Sequence, residues 1–185
     1  MVSARLLTYA AKVHEQHQRG FGSGFTAGGM VLNYSAKVNG TRLRLTDEGV
    51  GEAGSAWYPT PANVQTFTTD FSFQITPGTN PTADGFTFAI QGNNTSAIDT
   101  WGGGGLGYGP DSPGGTPGIA KSVAVKFDLY NNAGEGVNST GLYTNGAPPT
   151  TPFVDLTNTA INLHSGHVFN VHMTYDGSNL AMSIG

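Results

Sequence analysis

The sequence predicts an all-β sandwich or barrel, and three observations carry that prediction. Apolar residues alternate with period two through most of the chain, clusters of Gly, Pro and Asn cut the alternation into short runs, and only the first 20 residues show helical spacing. Short strands between turn signals bury their apolar faces by packing sheet on sheet or by closing one sheet into a barrel.

Taken in order, residues 1–20 stand apart, with three of the eight Lys and Arg and little of the Gly, Thr and Asn texture that follows. Leu6, Leu7, Ala10 and Val13 recur at helical spacing, so this segment is expected to be a linker or a short amphipathic helix, with the sandwich domain occupying 21–185. Phe67, Phe71, Phe73 and Ile75 then share one strand face, and Phe86, Phe88 and Ile90 share another. Residues 102–118 form a long loop rich in Gly and Pro, the kind of loop that in a compact domain usually serves a function. In the strand that begins SVAVKFD, residues Val123, Val125 and Phe127 face one way and Ala124, Lys126 and Asp128 the other. Phe169, Val171, Met173 and Tyr175 lead into an Asp176-Gly177 turn and then Leu180, Met182 and Ile184, which predicts a hairpin.

Composition narrows the function. The 185 residues suit one domain, and only 11% are charged, against roughly 25% in an average globular domain. Ser, Thr, Asn and Gly must solubilise the surface, a composition typical of extracellular or cell-surface β-proteins. A net charge of -4 with scattered Lys and Arg leaves no basic stripe to follow a phosphate backbone, which excludes nucleic acid as a partner. There is no cysteine for a disulfide or thiolate site, and no apolar run approaches the roughly 18 residues of a membrane span. The glycine run lacks the Lys-Ser/Thr and following helix of a phosphate cradle. His164 and His167 bracket the Ser165-Gly166 turn without acidic or thiol partners and are expected to face solvent, and His172 lies on the next strand.

Three stretches together resemble the legume (L-type) lectin domain: AWYPTPANVQTFTTDFSFQI at 56–75, ADGFTFAI at 83–90 followed by GGGGLGYG at 102–109, and VAVKFDLYNN from Val123. Their order and spacing agree with that family over about Gly24 to Gly185. The resemblance implies a concanavalin-like jelly roll whose sugar site falls on Asp84, Gly104 and Asn132, with Tyr130 stacking on the sugar. It also implies a cis Ala83-Asp84 peptide. The chemistry is apt: Asp84 is an acceptor-only carboxylate, Asn132 both donates and accepts, and Gly104 has no Cβ to keep a ligand away.

The resemblance further implies calcium, held by Asp128, the Tyr130 carbonyl, Asn132 and Glu135, all oxygen donors suited to that ion. A second, transition-metal site is expected to be lost, because Lys126 stands where the family has Glu and Ser139 where it has His. Lys126 and Asp128 are about 6.6 to 7 Å apart along one strand face, so the ammonium either lies against the carboxylate as a built-in charge or is a solvated lysine bordering the face. The expected function is a non-catalytic, glycan-binding module of a larger secreted or surface protein. A glycoside hydrolase on the same fold would need two carboxylates flanking the bond, and Glu15, Glu48, Glu52 and Glu135 form no acidic pair on a central strand. An adhesive spacer with a vestigial site is the other alternative. The family continues past the Asp176-Gly177 hairpin, so the chain is expected to be a C-terminally truncated fragment.

Overall fold

The computed structural model describes residues 3–6, 11–13, 29–47, 49–76, 78, 81–100, 103–111, 115 and 118–185. Apart from one 3-10 turn, the regular secondary structure of the described residues is all strand. Six of them form one sheet in the order β12 (Val154–Asp155), β11 (Ser139–Thr144), β10 (Ser122–Asp128), β9 (Gly85–Gln91), β1 (Ser3–Leu6) and β7 (Ala62–Asn63). A second sheet runs β14 (Leu180–Ile184), β13 (Val168–Tyr175), β8 (Phe67–Gln74) and β2 (Ala11–Val13). Two small ribbons accompany them, β3 (Val31–Tyr34) with β6 (Gly54–Trp57), and β4 (Lys37–Asn39) with β5 (Arg42–Arg44).

The two sheets close on an aromatic core. Phe127 lies stacked on Phe86 at 4.9 Å between centroids, tilted against Phe73 at 4.8 Å and edge-on to Phe71 at 6.1 Å. Phe71 stacks on Phe88 at 5.1 Å and Phe73 on Phe169 at 5.3 Å, so rings from both sheets interdigitate. These are the alternating positions that the sequence places on one face. The predicted terminal hairpin is present too, with Val171 to Tyr175 paired to Ile184 to Leu180.

A second apolar cluster covers the opposite face of the six-stranded sheet. Ala89 and Ala124 are cross-strand partners on that face, and Trp57, Tyr108, Leu43, Ile119 and Tyr143 pack with them. Small residues on the strands leave room for large ones from the loops and from the ribbon strands. The Trp57 indole N-H donates to the Ala97 carbonyl at 2.7 Å, which satisfies its one polar group in this dry setting. Strands β9 and β10 are therefore buried on both faces, and Lys126 lies inside this second layer.

Two expectations are corrected. The helix expected within residues 1–20 does not form at its described positions, because Ser3–Leu6 pairs with β9 and β7, and Ala11–Val13 pairs with β8. A helix this short gains little by itself, whereas each strand completes backbone bonds on a sheet already built. Leu7, Ala10, His14 and His17 lie outside the described residues. The solvated reading of Lys126 is overturned as well, since the residue is 0% exposed.

The loops are held by short side-chain caps. Asn63 accepts from the Gln65 N-H at 3.0 Å, Asn94 from Ser96 at 2.9 Å, Asp155 from Thr157 at 2.8 Å and Asp176 from Ser178 at 2.8 Å. Each side chain serves a backbone donor two residues on. Leu163–Ser165 is one 3-10 turn, opened by Asn162 accepting from the His164 N-H.

If the interlocked rings dominate stability, Phe127→Ala will cost about 3–5 kcal/mol, while Leu142→Ala, at a side chain 47% exposed, will stay within about 0.5 kcal/mol. Urea unfolding followed by fluorescence measures both, and equal losses would contradict this account of the core.

Candidate functional site

Three chain segments meet at one end of the six-stranded sheet. The first is the approach to β9, where the Ala83-Asp84 peptide is cis and Gly85 follows with φ 149°. A Cβ at Gly85 would lie 2.2 Å from the Phe127 carbonyl, so this glycine is demanded by the close approach of β10. The Asp84 carbonyl accepts from the Leu129 N-H at 2.7 Å, which ties the first segment to the second just past the end of β10.

The second segment, residues 128–135, is folded around two buried carboxylates. Asp128 accepts from the Tyr130 N-H at 3.2 Å through one oxygen and from the Lys126 ammonium at 2.8 Å through the other. Glu135 accepts from the Asn132 N-H at 3.2 Å and the Ala133 N-H at 2.6 Å. Both acids are almost wholly enclosed. Burial pushes the Asp128 carboxyl above the ordinary aspartate value and the negative Glu135 adds to the rise, while the Lys126 hydrogen bond and charge pull it back. The backbone of Tyr130, Asn132 and Ala133 is thus pinned from beneath, and their side chains stand at the surface.

The third segment is the glycine loop. Gly103 accepts from the Leu106 N-H at 2.9 Å and Gly105 from the Tyr108 and Gly109 N-H groups at 2.9 and 3.0 Å, a compact double turn with Leu106 and Gly107 in the left-handed region. Tyr108 anchors it: the ring is fully buried, and its hydroxyl pairs with Ser122 Oγ at 2.8 Å and accepts from the Gly146 N-H at 3.1 Å.

These segments bring Asp84, Gly104 and Asn132 together. Asn132 Nδ2 donates to Asp84 Oδ1 at 3.4 Å, and the glycine loop closes against both. A Cβ on Gly104 would fall 2.6 Å from the Asn132 amide carbon, and one on Gly103 would fall 1.6 Å from Asp84 Oδ2. Gly104 is therefore required by packing on Asn132, and Gly103, required by packing on Asp84, joins it as a position that sequence reasoning missed. Asp84 is half-buried, and desolvation raises its carboxyl above the usual range, with the nearby Asp111 adding to the rise. Tyr130 stands at the rim, 38% exposed.

Asp111 was also missed. It accepts from the Gly105 N-H at 2.7 Å and so fastens the glycine loop from outside. A lone carboxylate inside a Gly/Pro-rich stretch was the available signal. His167 is exposed as expected, whereas His164 is half-buried with Nε2 2.7 Å from the Val137 carbonyl; His172, exposed on β13, has Nδ1 2.6 Å from Asp70 Oδ1 on the neighbouring strand.

The fit of a cation rests on the donors around Asp128. Asp128, Glu135, the Asn132 amide oxygen and the Tyr130 carbonyl all offer oxygens, and of the two enclosed carboxylates Asp128 bonds the Lys126 ammonium while Glu135 bonds two backbone N-H groups. Asn132 uses its nitrogen toward Asp84, which leaves its oxygen for another partner. The set suits a hard cation. Among the described residues no three His, Cys, Asp or Glu side chains gather to hold an ion, so an ion here would depend on the amide and the backbone carbonyl as well.

With the site in view, the comparisons can be stated. The family model of the legume lectin domain matches residues 19–185. Among solved structures, the fold is similar to a lectin from Bauhinia forficata in complex with GalNAc, with a TM-score of 0.71 and 20% sequence identity, over 96% of this chain and 78% of that one.

Freeing the Gly105 N-H should loosen the loop without unfolding the sandwich. Asp111→Ala is expected to speed amide hydrogen exchange at residues 105–109 by roughly tenfold, the equivalent of one hydrogen bond to a charged acceptor. Protection in β9 and β10 should stay unchanged, and an unaltered loop would show that Asp111 does not fasten it.

Proposed function

The chain belongs to the legume lectin domain family, a family of carbohydrate-binding modules, and from that membership we propose that its own sugar site is formed by Asp84, Asn132, the glycine loop at Gly103 and Gly104, and Tyr130. The observation that carries this reading is the meeting of the Asp84 and Asn132 side chains at 3.4 Å over a loop that only glycine can complete. A carboxylate accepts two hydroxyl protons of a sugar, an amide donates to a third oxygen, and an exposed tyrosine ring covers an apolar face of the pyranose. Asp84 is half-buried, which lowers the competition from water only in part.

The module is read as non-catalytic. Of the acids near the site, Asp128 is engaged by Lys126, Glu135 by two backbone N-H groups, and Asp111 by Gly105. Asp84 then acts as a hydrogen-bond acceptor, with no second carboxylate assigned as its partner in bond cleavage. The partner is a glycan or polysaccharide, met outside the cell or at its surface, in keeping with a composition solubilised by Ser, Thr, Asn and Gly. No helix among the described residues is long and apolar enough to cross a membrane. The GalNAc of the Bauhinia forficata complex makes galactose-type sugars the first to try.

Calcium, when bound, would take Asp128, Glu135, the Asn132 oxygen and the Tyr130 carbonyl, and would supply charge neutralisation to this turn, with waters completing the 6 to 8 ligands it prefers. Sugar contact itself stays with Asp84, Asn132 and the loop.

Asp84→Ala removes the acceptor and leaves the Asn132 amide without its partner. It should abolish binding on a glycan array while the circular dichroism of the sandwich is retained, and preserved binding would exclude this site. Calcium titration by calorimetry should give one site of modest affinity, and chelator should weaken sugar binding. An absence of calcium heat together with chelator-resistant binding would mark a site that works without the ion.

A further inference from the structure

Lys126 is among the largest side chains that the fold encloses completely, at 0% exposure on a central strand. An ammonium leaves water at a high cost, recovered only through close partners. Ala124, on the same face of the same strand, belongs to the apolar layer beneath Trp57 and Tyr108, so an apolar residue at 126 would continue the local pattern. The lysine instead ends 2.8 Å from Asp128 Oδ2, with its nitrogen 5.8 Å from the centroid of the Tyr143 ring.

Its partner carries the binding segment. Asp128 holds the Tyr130 N-H, and Glu135 holds the N-H groups of Asn132 and Ala133, so two buried carboxylates set the backbone from which the Tyr130 and Asn132 side chains project. Like charges enclosed near one another repel, and Lys126 is the cation bonded to one of them. Ser139 sits directly opposite Asp128 in the β10 to β11 register, and its hydroxyl is buried with no hydrogen-bond partner among the described residues.

We infer that Lys126 is a built-in cation that positions residues 128–135, supplying from within the chain the charge that a bound transition-metal ion would otherwise supply there. The inference deepens the sugar-site reading and rests on it only for its affinity readout. Positions 126, 128 and 139 share one face at adjoining register places, and Glu135 closes the same turn. Glutamate at 126 and histidine at 139 would therefore join Asp128 and Glu135 as one nitrogen and three carboxylates, a set suited to manganese or zinc.

The test compares the wild-type protein, Lys126→Met and the double variant Lys126→Glu with Ser139→His, each with and without manganese. Melting temperature, manganese retained after gel filtration, and affinity for the best monosaccharide from the array are measured. Wild type should retain no manganese and show no shift with it. Lys126→Met should melt roughly 10 °C lower, bind sugar at least about tenfold more weakly, and gain nothing from manganese. The double variant should retain one manganese and recover its melting temperature only with it. Should Lys126→Met fail to fold, the double variant decides: manganese-dependent folding supports the inference and indifference overturns it. Unchanged melting and affinity in Lys126→Met, or stoichiometric manganese in wild type, would also overturn it. A protein that binds no sugar yet shows the expected melting and manganese responses would refute the sugar site and uphold the role of Lys126.

Discussion

The ion pair of Lys126 and Asp128 is the contact on which the rest of the site depends. At 2.8 Å, with both groups enclosed, it satisfies a carboxylate that also caps the Tyr130 N-H. Removing one partner of such a pair costs about 3–5 kcal/mol, because the remaining charge is stranded in a dry interior. The same carboxylate therefore links the central strand to the backbone of Tyr130, next to the Asn132 and Ala133 N-H groups that Glu135 holds.

The second apolar layer makes this possible. If the outer face of β9 and β10 met water, Lys126 and Asp128 would form an exposed pair, screened and worth little. Trp57, Tyr108 and Tyr143 remove that water, and small residues at Ala89 and Ala124 let them approach. The electrostatics of the site thus follow from packing decisions made up to about 70 residues away in sequence, at Trp57.

The sequence made the sandwich legible where alternation is strict. The Phe67 to Ile75 and Phe169 to Tyr175 runs could be assigned to an interior face without knowledge of the partner sheet, and the Asp176-Gly177 hairpin carried its own turn chemistry. Helical spacing near the start did not reveal the strands Ser3–Leu6 and Ala11–Val13, because they form on sheet edges at β9 and β8, and those edges are a tertiary fact. Asp84, Gly104 and Asn132 could be proposed through the resemblance and are adjacent in space. The burial of Lys126 could not be read from its strand, since alternation alone cannot say whether a second layer lies beyond. Gly103 and Asp111 were missed for a related reason: what a loop residue touches depends on where the loop lands.

The Asx-type caps at Asn63, Asn94, Asp155 and Asp176 have a consequence for how the fold can vary. Each cap closes its hydrogen bonds within two or three residues and asks nothing of the sheet beneath, so the conformation of such a loop is encoded locally. Segments of this kind are interchangeable parts, able to be lengthened or exchanged while the strands keep their register. The glycine loop and residues 128–135 add to such local caps bonds that cross the chain, from the Leu129 N-H and the Asn132 amide to Asp84 and from the Gly146 N-H to the Tyr108 hydroxyl. A scaffold that combines self-contained loops with one cross-braced corner can drift over most of its surface while the geometry of that corner is inherited intact.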